Sequence, residues 1–124
     1  MATVKLTKEN FEDVVTANDM VFVDFWASWC GPCRMFAPIF ESASGQHPDA
    51  VFAKVDTEAE QELAQAFGIM SIPTLMAFRD QIVLYSQPGA LPAASLDALI
   101  DQVRAVDMDD VHRQIAEQQS AKSA

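Results

Sequence analysis

Two cysteines, Cys30 and Cys33, stand three residues apart, and the chain has no others. Such a pair can exchange disulfides, supply half of a metal site, form a structural crosslink, or be two unrelated core thiols. A structural zinc site needs four ligands. The remaining nitrogen donors, His47 and His112, lie in polar segments without ligand-like spacing. Secreted domains stapled by disulfides carry more cysteines, spread along the chain. In a reducing compartment a close pair points to redox chemistry. The pair brackets Gly31 and Pro32 and follows an apolar stretch ending in Trp26, Ala27, Ser28 and Trp29. A strand that turns into a helix at the cysteines sets the sulfurs at a helix N-terminus. The partial positive charge and free N–H groups of that end stabilise a thiolate, the reactive form. Residues three apart on a helix have Cβ atoms roughly 5–6 Å apart, so a modest adjustment closes a disulfide. Pro32 lacks an N–H, suits the first helical turn and stiffens the ring. Cys30 precedes the helix, so it is expected to face solvent and attack. Cys33 lies one turn in and is expected to be more buried and to resolve the mixed disulfide.

Asp24 is the second candidate. Alternation puts it on the strand face of Phe22 and Trp26. Desolvation there raises a carboxyl pKa. A carboxyl that titrates late could take the proton that Cys33 must lose before it attacks. From the strand alone, an Asp that pairs with a cation or faces solvent fits as well.

These residues need a scaffold. Thr3–Leu6 reads as a short strand, with Thr7 as N-cap of a helix bearing Phe11, Val14 and Val15. Met20–Ala27 is apolar at nearly every position, which suits a central strand buried on both faces. A helix follows from Cys33 to about Gly45, with Pro38 expected to kink it. Val51–Val55 is the next strand. Thr57 and Glu60 have capping-box spacing for a short helix that Gly68 closes. Thr74–Phe78 and Ile82–Tyr85 are strands joined by Arg79, Asp80 and Gln81, an antiparallel hairpin. Leu96, Leu99, Ile100 and Val103 mark the last strong helix. The order βαβαβαββα predicts an α/β sandwich. Parallel early strands, with right-handed crossovers, and the antiparallel C-terminal hairpin form its mixed central sheet, flanked by helices. Residues 1–106 form one domain. Residues 107–124 are polar, with sparse apolar positions at Met108, Val111 and Ile115. They predict a flexible tail or a frayed helical extension.

With 124 residues, half of them hydrophobic, the chain has enough material for a single core. No run of about 18 apolar residues marks a membrane span. The first 20 residues hold no signal-peptide-like apolar run, so the cytoplasm is the expected compartment. A net charge of −10 argues against nucleic acid and anionic membranes as partners.

The segment Val23-Asp24-Phe25-Trp26-Ala27-Ser28-Trp29-Cys30-Gly31-Pro32-Cys33 resembles the active-site segment of the thioredoxin family. Phe52-Ala53-Lys54-Val55-Asp56, Ile72-Pro73-Thr74 and Gly89-Ala90 extend the similarity over about residues 3–106. The resemblance implies a thioredoxin-like fold, and it implies the proton-accepting role for Asp24. It places Lys54 near that carboxyl, where its charge opposes desolvation; taken by itself, Lys54 reads equally as a surface lysine. X–Pro bonds are mostly trans, so Ile72–Pro73 alone argues for trans. The resemblance implies a cis Pro73 facing the cysteines, where it shapes the backbone edge that receives an extended substrate segment. Trp29, Gly31, Pro32, Ile72, Gly89 and Ala90 resemble the family's apolar substrate-contacting rim, although each also suits a turn or packing position. Gly31 and Pro32 also tune the redox pair. Trp26 reads as a core wall beneath the site.

The resemblance further implies a protein-disulfide reductase with no bound cofactor. Its redox-active group is the Cys30–Cys33 disulfide, and its electrons come from NADPH through a flavin-dependent thioredoxin reductase. Partners would be that reductase and disulfide-containing targets such as reductases and peroxidases, with the chain a monomer. A Gly-Pro pair between the cysteines adds no cation to stabilise the thiolate, which argues against a strong oxidant. The alternatives are an oxidase or isomerase, and a non-catalytic binding subunit on the same fold. Three departures touch the family pattern. The hairpin lacks the usual Asn-Gly or Asp-Gly turn, Met70 and Ser71 stand where many relatives carry a cation, and Pro88 replaces a common β-branched residue.

Overall fold

A computed structural model describes residues 3–123; Met1, Ala2 and Ala124 lie outside the described residues. The elements are β1 (Val4–Lys5), α1 (Phe11–Ala17), β2 (Met20–Trp26), α2 (Gly31–Gln46), β3 (Val51–Asp56), α3 (Gln61–Ala66), β4 (Thr74–Arg79), β5 (Ile82–Pro88), α4 (Ala93–Ala105) and α5 (Met108–Ser123). They form one mixed sheet in the order β1-β3-β2-β4-β5. The first three of these strands run parallel, and β4 and β5 are antiparallel to their neighbours. The α/β architecture and the hairpin are as the apolar patterning predicts.

The near-continuous apolar run of β2 is buried on both faces. Met20 and Phe22 join Phe52, Leu75, the α2 residues Phe36 and Phe40, and the α4 residues Leu96, Ile100 and Val103. Val21, Val23 and Phe25 face the other way, toward Val15 of α1 and Leu63 of α3. Aromatic rings tie both layers: Phe52 lies 5.2 Å from Phe22 and 5.3 Å from Phe40, and Phe67 lies 5.3 Å from Phe11. The outer end of α2 is fastened to α4. Arg104 donates to Asp49 at 2.7 Å and to Nδ1 of His47 at 2.9 Å. A guanidinium only donates, so Nδ1 accepts, and Nε2 is left to donate to Asp97 at 3.2 Å.

Several boundaries differ from the expected ones. Thr7 does not cap α1 directly. Its N–H donates to Oδ1 of Asn10, the Asn10 N–H returns to Thr7 Oγ1, and α1 begins only at Phe11. The capping box at Thr57 and Glu60 does not form. Oδ1 of Asp56 takes the N–H groups of Glu58 and Ala59, while Thr57 Oγ1 donates to the Trp26 carbonyl and Glu60 accepts from the Lys8 N–H. Gly68 does close α3. It has φ +64°, its N–H reaches the Gln65 carbonyl, and the Ile69 N–H reaches that of Ala64. Helix α2 runs on through Pro38 and starts at Gly31, two residues before the expected Cys33. Of the flexible tail and the frayed helical extension expected for residues 107–124, the structure has a helix, the 16-residue α5. Met108 is buried at its first turn, and His112 reaches Asp80 at 3.0 Å.

Candidate active site

The central strand β2 ends at Trp26, and a short turn after it Cys30 occupies the N-cap of α2. Its Sγ accepts the backbone N–H of Cys33 at 3.2 Å. The two cysteines are disulfide-bonded, with Cα atoms 5.2 Å apart, inside the usual range. The helix dipole and this N–H both favour negative charge on Cys30 once the bond is reduced. Cys30 is 5% exposed and Cys33 2%. The ordering is the expected one, but the contrast is smaller, because Ala27, Trp26 and Ile72 pack around both sulfurs. Sγ of Cys30 lies 3.7 Å from the carbonyl oxygen of Ile72.

That carbonyl belongs to the Ile72–Pro73 peptide, which is cis. Pro73 is buried, and its carbonyl accepts the N–H of Gly89 at 2.7 Å. Gly89 has φ +109°, a backbone conformation that favours glycine. The loop that carries Gly89 and Ala90 after β5 is thus tied to the proline loop. Trp29 is 66% exposed beside Cys30, Pro32 and Ala90 are exposed, and Gly31 and Ile72 are half-buried. Trp26, half-buried, packs against the pair.

Asp24 is fully buried, and neither carboxylate oxygen has a hydrogen-bond partner. Desolvation pushes its pKa up to about 7, and the Lys54 charge offsets part of that rise. Lys54 pairs directly with Asp24 in the parallel register of β2 and β3. Its Nζ lies 5.2 Å from the centre of the Trp26 ring. The geometry therefore links Asp24 to Lys54 and Lys54 to Trp26, which packs against the dithiol, and sets Pro73 with Ile72 and Gly89 on its other flank.

Two features escape sequence reasoning. A cleft of about 370 Å³ is lined by Thr3, Lys5, Trp26, Lys54 and Asp56. Only the β1-β3-β2 register brings these residues together, and no local pattern signals it. Met35, 73% exposed next to the pair, does leave a signal: it falls off the Phe36, Ile39 and Phe40 stripe. Among the described residues, no group of three or more His, Cys, Asp or Glu is placed to hold a metal ion. No described helix is long and apolar enough to cross a membrane.

A cysteine pair at a helix N-cap beside a cis proline has a counterpart among known proteins. The family model for thioredoxin matches residues 2–102. The chain belongs to the thioredoxin family. A Streptomyces coelicolor protein assigned as thioredoxin 2 is 59% identical over 119 residues, covering 96% of this chain and 89% of that protein. The thioredoxin of Mycobacterium tuberculosis is 47% identical over 97 residues, 77% of this chain and 84% of the relative. Among solved structures, a mutant thioredoxin from Halobacterium salinarum superposes with a TM-score of 0.78 at 33% identity, covering 86% of this chain and 98% of that one. This member of the thioredoxin family is a thioredoxin-like protein-disulfide reductase, a thiol–disulfide oxidoreductase whose redox-active group is the Cys30–Cys33 disulfide. Membership implies, in general terms, a thioredoxin reductase and disulfide-bearing proteins as its redox partners.

Proposed function

We propose that the chain reduces exposed protein disulfides through unequal roles of its two sulfurs, with Asp24 as proton acceptor. The thiolate of Cys30 attacks one sulfur of a target disulfide. A Cys30–target bond forms, and the target's other sulfur leaves as a thiolate. Cys33 then passes its proton to the Asp24 carboxylate and attacks Cys30 Sγ. The intramolecular disulfide closes, and the second target thiolate is released. The target gains two electrons, and the chain loses two. The observation that carries this reading is the Cys30 Sγ at the N-cap of α2, accepting the Cys33 N–H. An N-cap sulfur is stabilised as a thiolate; a sulfur one turn in shares less of that field.

Lys54 holds part of Asp24's negative charge in place, so the carboxyl titrates near neutrality rather than far above it. Trp29, Gly31, Pro32, Ile72, Pro73, Gly89 and Ala90 form the face on which an extended target segment lies. Backbone pairing along that edge is sequence-tolerant, which suits many targets. Gly31 and Pro32 add no cation of their own between the cysteines, which argues for a pair on the reducing side. Electrons return from NADPH through a flavin-dependent thioredoxin reductase, and the chain works as a cytoplasmic monomer. Residues 1–106 carry this activity.

A trapping experiment tests the sulfur roles. Cys33→Ser should accumulate a stable mixed disulfide with a protein target, and Cys30→Ser should accumulate none. Trapping through Cys33 in the Cys30→Ser chain would overturn the assignment. Equilibration with glutathione tests direction: a potential at or above that of the glutathione couple would remove the reductase role.

A further inference from the structure

Outside the dithiol, the group with chemistry left unassigned is a pair of thioethers. Met70 is 95% exposed and Met35 is 73% exposed. The other described methionines are buried: Met20 at 5%, Met76 at 2% and Met108 at 7%. Met70 stands two residues before Ile72, whose carbonyl lies 3.7 Å from Cys30 Sγ. It also lines an open pocket of about 290 Å³ with Ile69, Ser71, Thr74, Ser86 and Pro88. Met35 stands two residues after Cys33, and Trp29, on the docking face proposed above, stands beside Cys30; both are exposed. The charged neighbour on this face, Arg34, turns its guanidinium onto the Ser28 carbonyl at 2.9 Å. A target segment docking at Cys30 therefore meets thioether and aromatic surface.

We propose that Met70 is a site of S-oxidation by hydroperoxides, and that this oxidation weakens docking of protein disulfides without altering the dithiol. The inference rests on the docking face proposed above. The step is a two-electron transfer. The thioether sulfur attacks the terminal peroxide oxygen, the O–O bond breaks, the sulfur becomes a sulfoxide, and the remainder of the hydroperoxide takes up the proton and leaves as an alcohol, or as water where the oxidant is hydrogen peroxide. While Cys30 and Cys33 are joined as a disulfide, they offer no thiolate to compete. Near-complete exposure gives Met70 first access to the oxidant, and burial protects Met20, Met76 and Met108. A sulfoxide is polar where the thioether was not. Covering it with an apolar target segment costs free energy unless it gains a hydrogen bond. A small disulfide covers little of the rim and escapes that cost.

The test uses the full chain in a Met35→Leu background, which leaves Met70 as the exposed thioether among the described residues. The disulfide form is treated with hydrogen peroxide, freed of it, mapped by peptide mass, reduced and assayed. Met70 should oxidise well ahead of Met20, Met76 and Met108. The KM for a protein disulfide such as insulin should rise by roughly five- to tenfold, the scale of burying an unpaired polar group. The rate with a small aromatic disulfide should stay the same. In Met35→Leu with Met70→Leu, the insulin KM, whatever its starting value, should not move with peroxide. Oxidation of Met70 no faster than of the buried methionines would overturn the proposal. So would an unmoved insulin KM at full Met70 oxidation, or equal shifts for insulin and the small disulfide. A chain that reduces the small disulfide but not insulin even before peroxide would instead overturn the docking reading and this inference with it.

Discussion

Neither carboxylate oxygen of Asp24 is hydrogen-bonded, and no water-exposed surface relieves its burial. Its ionised form is therefore unfavourable in the folded chain and ordinary in the unfolded one. With a folded pKa of about 7 against a usual value near 3.9, the native state binds more protons between those pH values. Stability from the neutral acid is fully present below about pH 4 and is lost as pH rises through about 7. Integrated over that gap, the penalty reaches up to about 4 kcal/mol at higher pH. Asp24→Asn should flatten this part of the pH profile and raise stability at pH 8.5 by about 2 kcal/mol, after the cost of a buried amide. Urea unfolding of the oxidised chain at pH 5 and at pH 8.5 measures both. The same variant should leave attack by Cys30 intact and slow its release, so mixed disulfide builds up under acid quench. Equal release rates in variant and parent would remove the proton-accepting role. Alternation along Met20–Trp26 suffices to place Asp24 on the face of Phe22. The missing hydrogen bonds are invisible to it, because they depend on what β3 and β4 bring alongside. Pro73 is the opposite case: X–Pro statistics favour trans, and only the surrounding fold selects cis.

The elements follow the apolar pattern closely, and their ends do not. Phe22, Phe36 and Leu96 declare which faces are covered, because the hydrophobic effect acts on every such residue at once. A helix start is decided by one or two polar side chains with several partners in reach. Thr57 matches a capping box by spacing, yet its hydroxyl is drawn to Trp26 across the sheet. The β4–β5 turn shows the same limit. Asp80 and Gln81 both have positive φ, +50° and +69°, the form of a type I′ hairpin turn. Residues with a Cβ are disfavoured there, by about 1–2 kcal/mol each, except that Asn and Asp tolerate it better. Gln81→Gly should therefore stabilise the chain by about 1 kcal/mol, the steric relief less the added unfolded-state entropy. The urea midpoint at constant m-value reads this out. A loss of stability would mean that the Gln81 side chain contributes more than its backbone costs. Asp80 is left in place because its carboxylate holds His112 of α5.

Over the whole molecule, chemistry and accessory structure sit at opposite ends of β4. Thr74 begins that strand beside Pro73 and the cysteines, and Arg79 ends it beside the helices α4 and α5. The length of the strand separates the two ends by about 17 Å. Arg79 donates to the carbonyls of Val103 and Arg104, where α4 ends, and α5 docks next to it through Met108 and His112. The family model stops at residue 102, before α5 begins. Beyond Ile115, α5 is polar and exposed through residue 122, so its sparse apolar positions offer little to read as a helix. Its anchorage includes the buried Met108, the half-buried Val111 and Ile115, and the His112–Asp80 contact. Burying a Met side chain is worth about 1.5–3 kcal/mol, and an exposed ion pair at most about 1. Ending the chain after Asp107 should therefore lower unfolding stability by about 1–3 kcal/mol while leaving kcat/KM for protein disulfides within about twofold. Denaturation and insulin reduction on the shortened chain measure the two separately. If stability holds and kcat/KM falls, the helix reaches the docking face in a way that the contacts of Met108 and His112 do not explain.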